Sequence, residues 1–399
     1  MSSTPAALAV GREAGRSPER TGLAALILLS VGHFCIDMYA AGLGALQPRL
    51  VDKLGFSLTQ AGLLGGLLVF SSSVCQPLYG YLSDRFPTRM FTVLAPLVAG
   101  LFISLLGVAP AYGWLVPLVL LGGAGVASFH PQASARVTHG VSAAKGRWMA
   151  VFISAGTLGM AWGPTYFSWM PSWLGMEGLH WAAVPGVLCT ALLWVTLGEG
   201  PAPQQNKRLD LAPLKAVWRP LTLLYFCVFI RSVVQVTYAQ FVPLYLSLER
   251  GFPVTKANYV LSAYLTCGAL GGFLGGHLSD KLGGRKVIMI SFLGCIPFLA
   301  LFFFGSGWMS LAGLFAGGLV LLFTIPVNVV MAQDLAPGQT ATVSALMMGF
   351  AWGMSGMIFI PLTGWVSDQI TMHYALAALA LFPAVGFLLA WMLPRTEYA

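Results

Sequence analysis

The chain has 399 residues and a formal net charge of +8, and 57% of its residues are hydrophobic while only 9% are charged. A soluble domain carries about a quarter charged residues, so this composition excludes an ordinary soluble protein. The basic residues lie in short loops between apolar runs and not on one face, which argues against nucleic-acid binding.

Apolar runs near the ~20 residues needed to cross a bilayer recur along the chain. Backbone groups in lipid must be hydrogen-bonded within the protein, and runs this long lack the alternation of barrel strands. The sequence therefore predicts an all-α integral membrane protein with twelve transmembrane helices. The predicted spans are residues 22–46, 58–82, 90–109, 114–136, 147–170, 180–198, 220–247, 257–278, 286–305, 308–332, 341–366 and 373–393.

The N-terminal tail, residues 1–21, contains three arginines and precedes an apolar stretch, as the start of a signal peptide would. That stretch is too long for a signal peptide and contains Asp37, so we interpret it as an uncleaved first span. Most lysines and arginines outside the spans fall on one side of the membrane. The loops on the other side hold only Arg49, Lys53, Arg250 and Lys256. The positive-inside rule then predicts a multi-pass protein with both termini in the cytoplasm.

Predicted span 1 carries two ionisable residues deep in the bilayer. Asp37 lies about 22 Å into the span at ~1.5 Å per residue, and His33 is one turn earlier on the same face. A charge at the bilayer centre costs roughly 2.5–3.5 kcal/mol, so ionisable residues there indicate function. A buried carboxylate beside an imidazole suits reversible protonation, and we predict Asp37 and His33 as the proton-coupling site. The alternative is a structural hydrogen bond between helices.

Predicted span 4 contains His130 directly before Pro131. A proline inside a helix leaves a backbone carbonyl without its usual donor. We predict that His130 contacts substrate in a central cavity. The alternative is a kinked helix that holds a hydrogen-bonded histidine.

The longest polar stretch in the interior of the chain, residues 199–219, combines proline, glutamine and basic residues, and we interpret it as a cytoplasmic linker. It separates an N-terminal six-helix half, residues 22–198, from a C-terminal half, residues 220–399. A repeat supports this division, because GFSLTQA at residues 55–61 returns as GFPVTKA at residues 251–257, an offset of 196. Two parallel six-helix halves resemble the layout of the major facilitator fold.

The same offset relates two loops, GYLSDR between spans 2 and 3 and GHLSDK between spans 8 and 9. The glycine permits close helix packing, and the aspartate can cap a neighbouring helix or pair with an arginine in one conformation only. We predict gating roles for residues of these two loops, namely Gly80, Asp84, Arg85, Arg89, Asp280 and Arg285. The alternative is that these charges only set the topology.

Predicted span 7 carries Arg231 about 17 Å from its start at ~1.5 Å per residue, and Gln235 and Tyr238 follow on the same face. This polar face lies deep in the membrane, and we predict these three residues as substrate contacts. The guanidinium can bind an anionic substrate or hold Asp37 ionised until substrate displaces it. A permanent Asp37–Arg231 ion pair is the alternative.

Signatures of other protein classes are missing from the sequence. There is no HExxH and no cysteine partner for a histidine, so we expect no metal site. The glycine-rich run at residues 62–66 lacks the lysine of a phosphate loop, and no GxSxG occurs. We therefore expect no cofactor and no ATP-driven pump, with the proton gradient as the driving force.

Span 5 resembles the antiporters of the major facilitator superfamily through Gly156, Gly159 and Pro164, which match a glycine–proline motif of that group and predict gating there. Other strings resemble one family closely, the bacterial fosmidomycin resistance proteins. These strings are His33-Phe34-Cys35-Ile36-Asp37-Met38, Phe129-His130-Pro131, Ala332-Gln333-Asp334-Leu335-Ala336-Pro337-Gly338 and Gly349-Phe350-Ala351-Trp352-Gly353-Met354.

The resemblance implies proton-driven efflux of a small phosphonate antibiotic or a related compound across the bacterial inner membrane. Two positions depart from the family, which usually has glutamate at Gln132 and often lysine at Arg231. The missing acid argues against a coupling role for position 132 beside His130, and these departures are compatible with a different substrate.

The favoured function is a secondary antiporter, with a small molecule, protons and the lipid bilayer as partners and a monomer as the expected assembly. A first alternative is a proton-coupled importer of a small organic anion, which would use the same architecture. A second is a membrane-embedded enzyme or a sensor, but the sequence carries no nucleophile, metal site or sensory domain to support it.

Overall fold

The computed structural model describes residues 18–86, 88–137, 145–198 and 212–394, and within these ranges the chain is helical with no strand. Apolar composition and the need to bond every backbone group internally explain this uniformity. The long helical rods are α1 Gly22–Leu54, α2 Leu58–Ser83, α3 Met90–Val108, α4 Tyr112–Val137, α5 Lys145–Leu174, α6 Glu177–Thr196, α7 Trp218–Leu248, α8 Val254–Leu282, α9 Gly284–Phe304, α10 Gly307–Leu335, α11 Thr342–Gln369 and α12 Met372–Trp391.

Eleven of these rods are both long and apolar enough to cross a membrane. The other, α5, has 30 residues, but glycine, serine, threonine and proline dilute the hydropathy of its middle. It packs along α1 within the bundle, so neighbouring helices cover part of its surface. The predicted twelve-helix bundle is therefore confirmed.

The rods differ from the predicted spans mainly at their ends. The first rod turns at Ala41 and continues as a helix to Leu54, eight residues beyond the predicted end, with Pro48 inside it. Part of the predicted linker is also helical, since a short helix covers Ala212–Ala216 and α7 begins at Trp218. Residues 199–211 and the N-terminal tail up to residue 17 lie outside the described residues.

Equivalent contacts recur in the two halves, as the sequence repeat predicts. Gly55 and Gly251 follow α1 and α7 with φ angles of 65° and 67°, a conformation that glycine adopts without a steric penalty. The Tyr39 hydroxyl on α1 donates to the Ala182 carbonyl of α6 at 2.8 Å. On α7, the Tyr238 hydroxyl donates to Leu376 of α12 at 3.0 Å.

The two halves meet tightly at the end of the bundle remote from the linker, which we call the sealed end. Here α5 bonds to α8 twice, between the hydroxyls of Thr165 and Ser262 at 2.8 Å and from Trp169 Nε1 to the Tyr259 hydroxyl at 2.7 Å. The Asn258 side chain of α8 also donates to the carbonyl of Ala45 on α1 at 3.1 Å.

A carboxylate joins α2 and α11 at the sealed end. Asp368, near the end of α11, accepts hydrogen bonds from the backbone N–H of Leu58 at 3.0 Å and of Thr59 at 2.7 Å. It also accepts from the Thr59 hydroxyl at 2.6 Å. These N–H groups begin α2 and have no partner within their own helix, so an acid at this position stabilises both the helix end and the seal.

A cavity of about 80 Å³ lies between the halves just inside the seal. Apolar side chains from both halves line most of it. Its polar lining residues are Ser72 and Gln240, and Trp352 adds a large aromatic ring. The Nε2 group of Gln240 is buried without a hydrogen-bond partner. The wall of the cavity is therefore mainly apolar, with Ser72 and Gln240 as its polar residues.

Candidate functional site

A buried group of two histidines and one aspartate lies in the N-terminal half. The Nε2 atom of His33 is 3.3 Å from Oδ2 of Asp37, and both residues lie on α1. The Nε2 atom of His130, on α4, is 3.3 Å from Oδ1 of the same carboxylate. We call these three residues the Asp37 cluster. Each carboxylate oxygen therefore faces one imidazole.

Each imidazole ring is also hydrogen-bonded to a backbone carbonyl, through the nitrogen that does not face Asp37. Nδ1 of His33 donates to Phe152 of α5 at 2.8 Å, and Nδ1 of His130 donates to Val126 of α4 at 2.8 Å. Because a carbonyl oxygen only accepts, these bonds assign the Nδ1–H form to both rings. Nε2 is consequently the atom that each ring presents to Asp37.

Aromatic rings and a glycine enclose the cluster. The centroid of the Phe152 ring is 4.2 Å from that of His33, and the Phe129 ring is 6.1 Å away. A Cβ atom at Gly156 of α5 would lie 2.6 Å from Oδ2 of Asp37, so glycine is required for α5 to pack there. The cluster is therefore shielded on the side where α1 meets α5.

The glycines of α5 pack on α1 along this contact. Cβ atoms at Gly159 and Gly163 would collide with the backbone carbonyls of Phe34 and Met38. Gly156 and Gly159 were expected as gating residues, and the structure shows that these α5 glycines pack against α1 beside the Asp37 cluster. Pro164 lies farther along α5. Sequence analysis missed Gly163, although its spacing of four from Gly159 suggests helix packing.

Three potential metal ligands come together in the Asp37 cluster, because one atom from each of His33, Asp37 and His130 lies within 4.8 Å of the others. The sequence predicted no metal site, since His130 belongs to a different helix from the other two residues. Spacing along one helix cannot show that arrangement. Direct contacts between imidazole and carboxylate also make the cluster suitable for protons, which His and Asp exchange near neutral pH when paired.

Arg231 lies in the C-terminal half and is buried on α7. Its Nη1 group donates to Oε1 of Gln235, one turn further along the helix, and its Nε group is buried without a hydrogen-bond partner. Arg231 forms no ion pair with any residue that the structure describes. The expected alternative of a permanent Asp37–Arg231 pair is absent from this conformation.

The neighbour of Arg231 on α8 is Tyr264, which is close enough to interact with its charge. The Tyr264 hydroxyl is buried and has no hydrogen-bond partner, so a second unused donor accompanies the guanidinium. Tyr264 was not predicted from the sequence, because a tyrosine in an apolar span is most often a core packing residue. Tyr238, expected as a substrate contact, is instead fully buried with its hydroxyl bonded to α12.

Gln132 and His130, both singled out in the sequence, form polar contacts with other helices. Gln132 accepts from the Thr92 hydroxyl at 2.5 Å and donates to the Thr88 carbonyl at 2.7 Å, so it joins α4 to the start of α3. His130, expected as a substrate contact, has its ring on Asp37. The structure therefore groups His130 with the expected proton-coupling residues.

Two of the three predicted gating arginines contact the ends of helices within their own halves. Arg89 donates to the carbonyl of Leu197 after α6, and Arg285 donates to Trp391 of α12 and, at 3.4 Å, to Ala390. Cations at helix C-termini are stabilised by the helix dipole. Each arginine thus fastens the last helix of its half in this conformation.

The remaining gating residues lie at the linker end of the bundle. Arg85 and Asp280 are exposed, and the side chain of Asp84 is outside the part of the chain that the structure describes. Gly80 faces α4, where an added Cβ would lie 3.7 Å from that of Pro131.

Relatives of known sequence and structure match nearly the whole chain. The uncharacterized MFS-type transporter YfnC of Bacillus subtilis is 29% identical, with 96% of this chain and 95% of the relative covered. The fosmidomycin resistance protein of Escherichia coli is 26% identical, with 97% of each chain covered. A bacterial homologue of the human lysosomal transporter Spinster, solved in an inward-facing and occupied conformation, superposes with a TM-score of 0.83 at 15% identity over 96% of this chain and 98% of its own.

The family model of the Major Facilitator Superfamily matches residues 29–259 and 224–399. The fold of twelve helices in two related halves agrees with this match, and the relatives are transporters and not enzymes. The chain is a multi-pass membrane transporter that belongs to the Major Facilitator Superfamily.

Proposed function

We propose that this chain is a proton-coupled antiporter that exports a small anionic compound of the phosphonate type. The observation that carries the proposal is the division of buried charge between the halves. The N-terminal half holds the Asp37 cluster, whereas the C-terminal half holds Arg231 without an acidic partner among the described residues. A buried guanidinium in a membrane protein is costly without a counter-charge, and an anionic substrate supplies one.

The Asp37 cluster is well placed to influence the contact between the halves. Gly156 of α5 packs on it, and the same helix carries Thr165 and Trp169, which bond to α8 of the other half. A change of protonation that alters the packing of α1 on α5 would therefore change the stability of the seal. Coupling requires such a difference, because a ligand shifts an equilibrium only by its differential affinity for the two states.

Export is the direction that the similarity to the fosmidomycin resistance protein supports. A protein that confers resistance to fosmidomycin is expected to lower the concentration of that compound in the cell, and the chain resembles one along its whole length. In the proposed cycle, the anion binds near Arg231 from the cytoplasm, the halves rock, and protons from outside bind the Asp37 cluster as the anion leaves.

An importer of a small organic anion is the alternative, since Arg231 would bind an anion in either direction. Everted membrane vesicles from expressing bacteria separate the two. With an acidic lumen, antiport predicts that labelled fosmidomycin accumulates inside and that its addition makes the lumen less acidic. Vesicles without the protein are the control. Loss of preloaded fosmidomycin together with protons would instead establish symport and reject the proposed direction.

A further inference from the structure

We infer that the Asp37 cluster binds two protons in each cycle and that His130 is the residue through which they exchange with water. The inference rests on the proposed function, because it concerns the same coupling site. It assigns a number of protons and gives His130 the role of a proton acceptor, which the sequence analysis did not assign to it.

The count follows from the hydrogen-bond roles of three side chains. Both histidines have their Nδ1–H bonded to a carbonyl, at 2.8 Å in each case. A neutral imidazole of this form has only a lone pair on Nε2. An ionised carboxylate also only accepts, so without further protons two lone-pair contacts face each other at 3.3 Å.

Each of these two contacts needs one proton, on either the nitrogen or the oxygen. A single proton converts one contact into a hydrogen bond and leaves the other as a repulsion between acceptors. Two protons convert both, and the cluster changes from a formal charge of −1 to +1 as they bind. The loaded cluster satisfies every polar atom that faces Asp37, and this gain opposes the cost of burying its net charge.

Among the residues that the structure describes, the ionisable side chains in contact with Asp37 are His33 and His130, each at 3.3 Å. From α5, the groups in contact are the Phe152 ring and carbonyl and Gly156, which carry no charge. The three side chains therefore share their protons mainly with one another.

Access to the cluster is unequal among its members. The side chain of His130 is 23% exposed, compared with 12% for Asp37 and 7% for His33. Gly156 and Phe152 cover the other two residues from α5. A proton from water consequently bonds first to Nε2 of His130 and passes through Asp37 to the contact with His33, and the second proton then stays in the contact between His130 and Asp37. Exchange of two protons for an anion moves net charge, so the transport would respond to membrane voltage.

Nuclear magnetic resonance of the full chain in lipid nanodiscs tests the count without a transported substrate. The imidazole nitrogens are labelled with ¹⁵N and the aspartate carboxyls with ¹³C, and spectra are recorded from alkaline to acidic pH with EDTA present to remove metal ions. The variants H33Q, H130Q and D37N assign the signals. We expect the three residues together to gain two protons, with Nδ1 protonated on both rings throughout.

The matched control is H180Q. Nδ1 of His180 also contacts a backbone carbonyl, that of Glu177 at 2.9 Å, but the residue is exposed and forms no ion pair in the described part of the chain. The cluster should still gain two protons in H180Q and only one in H130Q. Unchanged His180 and His373 signals in H130Q would show that the variant is folded.

A gain of one proton in the wild-type cluster, or of two in folded H130Q, would overturn the inference. The result is separable from the fate of the proposed function. Two titrating protons without proton-driven transport of fosmidomycin would reject the function and retain the two-proton cluster, whereas coupled transport with one titrating proton would do the reverse.

Discussion

The two halves of the molecule are alike at their edges and different in their centres. Gly55 and Gly251 end equivalent helices, and Arg89 and Arg285 fasten the last helix of each half. In the centre, α1 carries acid and imidazole, whereas α7 carries a guanidinium and an amide.

This difference suggests how the two copies of a duplicated six-helix unit can acquire different functions. Contacts that hold a six-helix half together, such as those of Tyr39 and Tyr238, are needed in both copies. The central residues have different partners in the two halves, since His130 and the Phe152 carbonyl contact the residues of α1 and Gln235 contacts Arg231 of α7. In the proposed function, the N-terminal centre binds protons and the C-terminal centre binds the anion.

The largest expected effect comes from removing the acid of the N-terminal centre. D37N should abolish transport driven by a pH gradient, since the amide cannot take up a proton, while exchange of labelled for unlabelled fosmidomycin continues. At one pH unit each coupled proton supplies about 1.4 kcal/mol, or about tenfold accumulation, and this should fall to none. Uptake by everted vesicles measures both activities. Accumulation in D37N equal to that of the wild type would remove Asp37 from the coupling mechanism.

The second prediction concerns the C-terminal centre. R231A should raise the KM for an anionic substrate about 10- to 100-fold, because a charge-assisted hydrogen bond contributes about 1.5–3 kcal/mol. R231K, which retains the charge, should lose less, and a neutral ester of the same compound should be almost unaffected. The kinetics of vesicle uptake are measured for the wild type, R231A and R231K, with the anion and with the ester. Equal losses for the anion and the ester would indicate a structural role for Arg231.

The contact between α5 and the Asp37 cluster is tested by a methyl group. G156A should lower the melting temperature of the purified protein and impair coupling, since overpacking costs typically about 1–3 kcal/mol. G272A is the matched control, because a Cβ on this helical glycine of α8 meets nothing within 4 Å. Thermal melts and vesicle uptake are the measurements. Similar behaviour of the two variants would contradict the close packing at Gly156.

A smaller effect is expected at the sealed end. D368N keeps the shape of the side chain but weakens its bonds to the start of α2, so the conformation open at this end should gain about fivefold, or about 1 kcal/mol. The alkylation rate of a cysteine introduced by A61C, at a buried position of α2, reports this opening.

The matched control for the seal is E249Q. Glu249 also accepts from two backbone N–H groups, those of Met372 and His373 at 2.7 and 2.9 Å, but it joins α7 to α12 within one half. The E249Q substitution should leave the alkylation rate of the cysteine in A61C unchanged. An equal increase in both variants would mean that the carboxylates stabilise the halves and do not hold them together.

Much of the fold follows from local properties of the sequence. Apolar length determines which segments cross the membrane, and the repeat at an offset of 196 determines that there are two halves. The exact ends of helices depend on neighbours, as the extension of α1 to Leu54 shows. The sequence also marks Asp37, His33, His130 and Arg231 as unusual, because ionisable groups are rare within spans.

Tertiary structure alone decided how these residues combine. His130 was expected to contact substrate, but packing of α4 against α1 brings it to Asp37, and Arg231 pairs with Gln235 on its own helix. Tyr238 and Tyr264 are both tyrosines in apolar spans, yet only the former finds a carbonyl partner. Burial depth and helix period are properties of one segment, whereas the partner of a side chain depends on the rotation and depth of another helix. Packing between distant segments sets the rotation and depth of each helix, and the sequence of a single span does not determine them.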